Sequence, residues 1–289
     1  MGEIFALACA LVWAFAVIFF KKSGETVAPF PLNVFRVTVS SALFLLTMAI
    51  LRKPLWGQAP LEDYLILVAS GIIAIAVSDT LFHMSLNRVG AGLNAIVDTL
   101  YSPFIILFAM LMLGERLTWQ QAGGMVLVVA GVLAASASRP AAGLARRDLV
   151  IGLLLGVGAM ATLGFGIVLA KPVLERSDVL WATTVRQLGS FAVLGGAALL
   201  LPRRRKRLSV FRPHAAWKFT LPGTFLGSFL ALILWIAGMK YTTAGIAGIL
   251  NQTSTIYILI LASLFLKEPF SFRKMLATAL TLLGIFLVI

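Results

Sequence analysis

VDTLYSPFIILFAMLMLGERLTWQQAGGMVLVVAGVL, from Val97 to Leu133, is an apolar segment, a short polar break at Gly114-Glu115-Arg116, and a second apolar segment. The same plan returns 153 residues later as LNQTSTIYILILASLFLKEPFSFRKMLATALTLLGIF, from Leu250 to Phe286. Glu115 falls on Glu268, Leu113 on Leu266, Leu127 on Leu280, Gly131 on Gly284, and Asp98 on Asn251. A repeat of this length, with its acidic loop residue in register, marks an internally duplicated chain.

The duplication extends to the earlier parts of both halves. FAVIFFKK (Phe15–Lys22) matches FGIVLAKP (Phe165–Pro172), and Arg36 matches Arg186, at an offset of 150 that a longer loop in the second half raises to 153. Sixty per cent of the residues are hydrophobic and the mean hydropathy is +1.00. That excludes an ordinary soluble domain, at about 45–50% apolar. A bilayer core needs about 20 apolar residues per helix, so ten spans with short loops fill the 289 residues. They are expected at Ile4–Phe20, Leu32–Leu51, Tyr64–Leu86, Ala91–Leu113, Trp119–Ala137, Leu149–Ala170, Leu180–Leu201, Phe219–Met239, Ala244–Leu266 and Phe272–Ile289. Lys171-Pro172 is expected to end the sixth, since proline cannot continue the backbone ladder. The chain then reads as a first five-helix repeat (1–137), a linker (138–148) and a second repeat (149–289). Five is odd, so the second repeat enters the membrane inverted. The fold class is an all-α integral membrane protein of two inverted five-helix repeats. Transporters with this plan bind substrate near the midplane, between the repeats.

A net charge of +13 would suggest nucleic acid in a soluble protein. Here the basic residues sit between apolar spans, where they set topology and meet lipid headgroups, so membrane lipid is the expected partner and nucleic acid is not. Six basic residues (Arg52, Lys53, Arg116, Lys171, Arg176, Lys240) fall on the side of the termini and sixteen on the other, including the run Arg203–Arg207; Arg36 and Arg186 lie within spans. The positive-inside rule therefore puts both termini outside. The start, MGEIFALACALVWAF, lacks a basic stretch before its apolar run and predicts a retained first helix. The single cysteine, Cys9, excludes a disulfide framework. Only His83 and His214 are available for a histidine–carboxylate cluster, so neither a metal site, a cofactor nor a membrane enzyme is expected.

Ionisable residues inside spans cost about 2.5–3.5 kcal/mol each on insertion scales and are functional candidates by default. Asp79 and His83 lie one turn apart on one helix face, able to hold a proton or a cationic group, or simply to satisfy each other. Asp98, its repeat mate Asn251, and Gln252 place polar groups on helices 4 and 9, as cavity wall or as interhelical hydrogen bonds. Arg36 and Arg186 could grip an anion, although their places near helix starts favour snorkelling to the interface. Trp13, Tyr101, Trp235 and Tyr257 could form aromatic walls for a ring or an amine. Trp119, Trp181 and Trp217 sit at helix ends and read as interface anchors. Glu115 and Glu268, in short turns on opposite faces, suit structural roles at the N-termini of helices 5 and 10.

LGERLTWQQAGGMVLVVAGV, with ALACALVWAFAVIFFKK and FRVTVSSALFL, resembles the drug/metabolite transporter superfamily, in particular its ten-helix EamA-type members. Trp13 and Arg36 stand at the positions of that family's tryptophan and arginine, and the second-half turn reads LKEPFS where the first reads LGE. The resemblance covers essentially the whole chain. It implies a bacterial inner-membrane protein that moves a small metabolite outward, without an enzymatic reaction. An acid, amides and aromatics in one cavity would suit an amino acid or amine, carried by alternating access with Asp79 and His83 as proton-coupling groups. The alternative on the same fold is a flippase, or a flippase subunit, for a lipid-linked substrate. Because one chain holds both repeat orientations, a monomer suffices.

Overall fold

The computed structural model describes residues 1–114, 116, 118–136, 145–202, 204–241, 250–269 and 271–288. Among these, ten helical columns are present and no strand: α1 Gly2–Ser23, α2 Pro29–Ile50, α3 Leu61–Val89, α4 Ala91–Leu113, α5 Trp119–Ser136, α6 Arg146–Arg176, α7 Val179–Leu200, α8 Trp217–Gly238, α9 Leu250–Leu266 and α10 Phe272–Val288. Six of them are long and apolar enough to cross a bilayer by length and composition. The outer faces of the ten columns carry exposed aliphatic and aromatic side chains, such as Leu111, Leu154, Leu264 and Phe286. In water that surface would be untenable; in a bilayer it is the solvent-exposed surface.

The first helix of each repeat is exchanged. α1 packs mainly on α8 and α9 of the second repeat, and α6 packs on α3 and α4 of the first. Between the repeats α2 lies against α7 and α5 against α10. The α5–α10 contact uses the two glycines that the repeat aligns. A Cβ at Gly131 would meet Thr281 Cγ2 at 2.5 Å, and one at Gly284 would meet the Gly124 carbonyl oxygen at 2.6 Å. Small residues let membrane helices approach this closely.

Two irregularities also obey the repeat. α3 contains a π-helical turn at Ile72–Val77 and α8 one at Phe225–Leu230, 153 residues apart throughout. A π-turn frees backbone carbonyls; in α3, Asn33 Nδ2 of α2 donates to those of Ile75 and Ala76, at 3.2 Å each. α4 is broken between Ala91–Asp98 and Tyr101–Leu113, where the Thr99 and Leu100 amides turn back to Ile96 and Val97. α9 tightens likewise at Thr253, whose amide and hydroxyl both reach the Leu250 carbonyl.

Several expectations need correction. Pro172 does not end α6, which continues to Arg176; Arg176 donates to the Pro172 carbonyl at 2.7 Å and pairs with Asp63, holding the last turn after the missing amide. Trp181 is buried and is not an interface anchor; its indole donates to the Leu55 carbonyl at 2.8 Å and its ring packs edge-on against Tyr64. Trp119, at 95% exposure, does face outward. Glu268 caps α4, not α10: its carboxylate accepts the amides of Ala91 and Gly92 at 2.6 and 3.0 Å. Gly90 there has φ +86°, and a Cβ would lie 2.7 Å from that carboxylate. A carboxylate on a helix N-terminus is stabilised by the dipole, and here it reaches across the repeats. Next to it, Lys21 donates to the last carbonyls of α3, Leu86 and Asn87, at 3.0 Å each. Glu115, Ala137 at the end of the expected first repeat, and residues 138–144 of the expected linker lie outside the described residues.

Candidate functional site

A cavity of about 200 Å³ lies between the repeats. The same irregularities that break the helices line it: Ala74 and Ile75 from the π-turn of α3, Gly227 and Ser228 from that of α8, and Asp98 and Tyr101 flanking the break in α4. Asn251, Gln252 and Ser254 flank the corresponding point in α9. Where a helix departs from its regular ladder, polar groups and space become available without a loop in lipid.

Arg36 of α2 and Arg186 of α7 both line this cavity and are 4% and 2% exposed. Snorkelling to the interface is thereby overturned. The reason is a set of fixed acceptors inside the protein. Arg36 Nη1 lies 3.2 Å from Asp79 Oδ2, and its Nε donates to Ser228 Oγ of the opposite repeat at 2.8 Å. Its guanidinium stacks over Phe20 at 4.6 Å. Arg186 Nε donates across the repeats to Ser70 Oγ at 3.0 Å, and Ser70 in turn donates to the Gly166 carbonyl.

Asp79 faces the cavity, while His83 stands behind it, fully buried against Phe20 and Phe82. Arg36 bridges them, with Nη1 2.7 Å from His83 Nε2. A guanidinium can only donate, so Nε2 accepts and the neutral ring carries its hydrogen on Nδ1. Asp98 keeps its carboxylate near the Asn94 amide, at 3.3 and 3.4 Å. The Tyr101 hydroxyl and the Asn251 Oδ1 are buried and, among the described residues, have no hydrogen-bond partner.

Of the residues singled out from sequence, Trp13, Arg36, Asp79, Asp98, Tyr101, Arg186, Trp235, Asn251 and Gln252 come together around this one cavity. His83 and Tyr257 do not. Tyr257 packs against the apolar core instead; it aligns with Phe104, and the repeat mate of Tyr101 is Ser254, which does line the cavity. Sequence reasoning missed Ser70, Ser228 and Gln187. Gln187 adjoins Arg186 and donates to Ser40 across the α2–α7 contact. Its amide in an apolar span was a visible signal, whereas serines in spans are too common to stand out.

The model of the EamA-like transporter family matches the chain twice, over residues 1–137 and 150–289. An uncharacterized transporter of Bacillus subtilis, YetK, is 23% identical, covering 100% of this chain and 87% of that protein. An uncharacterized transporter of Archaeoglobus fulgidus is also 23% identical, over 99% of this chain and 97% of its own length. A crystal structure superposes with a TM-score of 0.71 at 18% identity, covering 99% of this chain and 95% of the other. That likeness concerns the fold.

Proposed function

The chain belongs to the EamA-like transporter family and is a membrane transporter, and on that premise we propose that it is a secondary transporter of the bacterial inner membrane, exporting a small polar or amphipathic metabolite of the amino-acid or amine class by alternating access. The observation that carries the proposal is the cavity between the repeats, where two acids, two arginines, three amides and four aromatic side chains converge. Its volume of about 200 Å³ is below the ~300–1,000 Å³ typical of drug-sized ligands. That favours a small metabolite over a lipid-linked substrate.

Proton coupling is assigned to Asp79, with His83 as the neutral acceptor behind it. A proton on Asp79 would weaken its pair with Arg36. Arg36 is also bonded to Ser228 of the other repeat, so the proton would act on a contact that the rocking of the repeats must change. The Lys/Arg bias places both termini outside, and one chain suffices as the transporting unit.

The test is a thermal-shift screen of the purified protein in detergent against amino acids, polyamines, quaternary amines, organic acids and nucleotide sugars. A ligand bound only by the folded state adds about 2.7 kcal/mol of stability at 100 times its Kd. An amino acid or amine is expected to raise Tm, with the shift lost in Asn251→Ala. A shift produced only by lipid-linked molecules would overturn the proposal in favour of a flippase.

A further inference from the structure

Arg36 and Arg186 are repeat mates, but their surroundings are not equivalent. Arg36 has Asp79 at 3.2 Å. The residue 153 positions after Asp79 is Leu232, which also faces the cavity. Arg186 therefore has the Ser70 hydroxyl at its Nε and, among the described residues, no carboxylate at ion-pairing distance. Two buried guanidiniums share one acid, which leaves one positive charge over. Tyr101 lines the same cavity as Arg186, and among the described residues its buried hydroxyl has no hydrogen-bond partner. Both groups lack the same thing, an anionic oxygen. Elsewhere around the same cavity Asp98 has the reverse deficit: an amide from Asn94 and, among the described residues, no cation. Charges buried at membrane depth are costly until paired, and a planar guanidinium edge matches a carboxylate bidentately.

We infer that the cavity is built for a zwitterion: Arg186 and Tyr101 receive the carboxylate of the transported molecule, and Asp98 receives its ammonium. This rests on the transporter reading above and narrows it, since a simple amine or a simple acid would leave one of the two charges unpaired.

The experiment uses matched triplets, for example phenylalanine, phenethylamine and 3-phenylpropionate, and leucine, isoamylamine and 4-methylpentanoate, with affinity read from concentration-dependent thermal shifts of the full-length protein. In the wild type each amino acid is expected to bind at least roughly tenfold more tightly than either analogue, the worth of one charge-assisted hydrogen-bonded contact. Arg186→Gln should abolish the preference over the amine, and Asp98→Asn the preference over the acid. Should Arg186→Gln fail to fold, Tyr101→Phe removes a single oxygen and is expected to weaken the amino acid several-fold more than the amine. An amine or an acid that binds the wild type as tightly as its parent overturns the inference while leaving the transporter reading in place. A folded wild type that responds to no small metabolite of any class overturns both.

Discussion

Asp79 is half-buried and held in an ion pair with the buried Arg36, and that decides what its removal does. Asp79→Asn leaves the Arg36 guanidinium, 4% exposed, without a carboxylate. Breaking one side of such a pair costs about 3–5 kcal/mol, whereas replacing both partners by apolar groups is often nearly neutral. Thermal unfolding in detergent should therefore show a lowered Tm for Asp79→Asn and recovery in the Arg36→Met/Asp79→Leu double variant, with transport lost in both. A wild-type Tm in the single variant would contradict the pairing described here. At this scale the sequence was legible where chemistry was out of place: Asp79, Asp98, Asn251 and Gln252 stand out against an apolar background. It was not legible where the answer depended on rotation about a helix axis. Arg36 looked free to reach the interface because position along a span says nothing about the acceptors waiting inside, and Tyr257 looked like a partner of Tyr101 although three residues turn it to the core.

Helix ends offer an independent handle, because α7 begins outside the apolar region. Asp178 caps it, accepting the Trp181 amide at 3.0 Å, and pairs with Lys53 of the α2–α3 connection at 2.5 Å. Burial pushes the Asp178 carboxyl up, but the bond from Lys53 and the Trp181 amide outweigh this and hold it below the usual carboxylate range. A depressed folded-state value means that the stabilisation is fully present above the unfolded value of about 3.9 and is lost as pH falls through the folded one. Asp178→Ala is expected to cost about 1 kcal/mol at pH 7, mostly as a lost cap, since the exposed Lys53 contact is screened. The Tm gap to wild type should close as pH drops below about 4. A gap that stays constant from pH 7 to pH 3 would show that the carboxylate is not what matters. The ten spans themselves were readable from apolar run lengths. The paired π-turns and the tightened turns in α4 and α9 were not, because they leave hydropathy unchanged, and Pro172 misled because its lost amide falls where Arg176 can support the final turn.

At the scale of the molecule, the Lys/Arg asymmetry predicts an orientation. Alkaline phosphatase fused after Ile289 should be active in a bacterial host, and a green fluorescent protein at the same place should be dark; the opposite pattern would put the termini in the cytoplasm. The exchange of first helices has a further consequence, in time. α1 has its main partners in α8 and α9, and nearly two hundred residues separate Ser23 from Trp217. At ~5–20 residues synthesised per second, α1 must remain for roughly 10–40 s in the bilayer with its largest interface still unmade. α1 is also the most apolar of the six long spans, as befits the segment that must be at home in lipid before there is a protein for it to join.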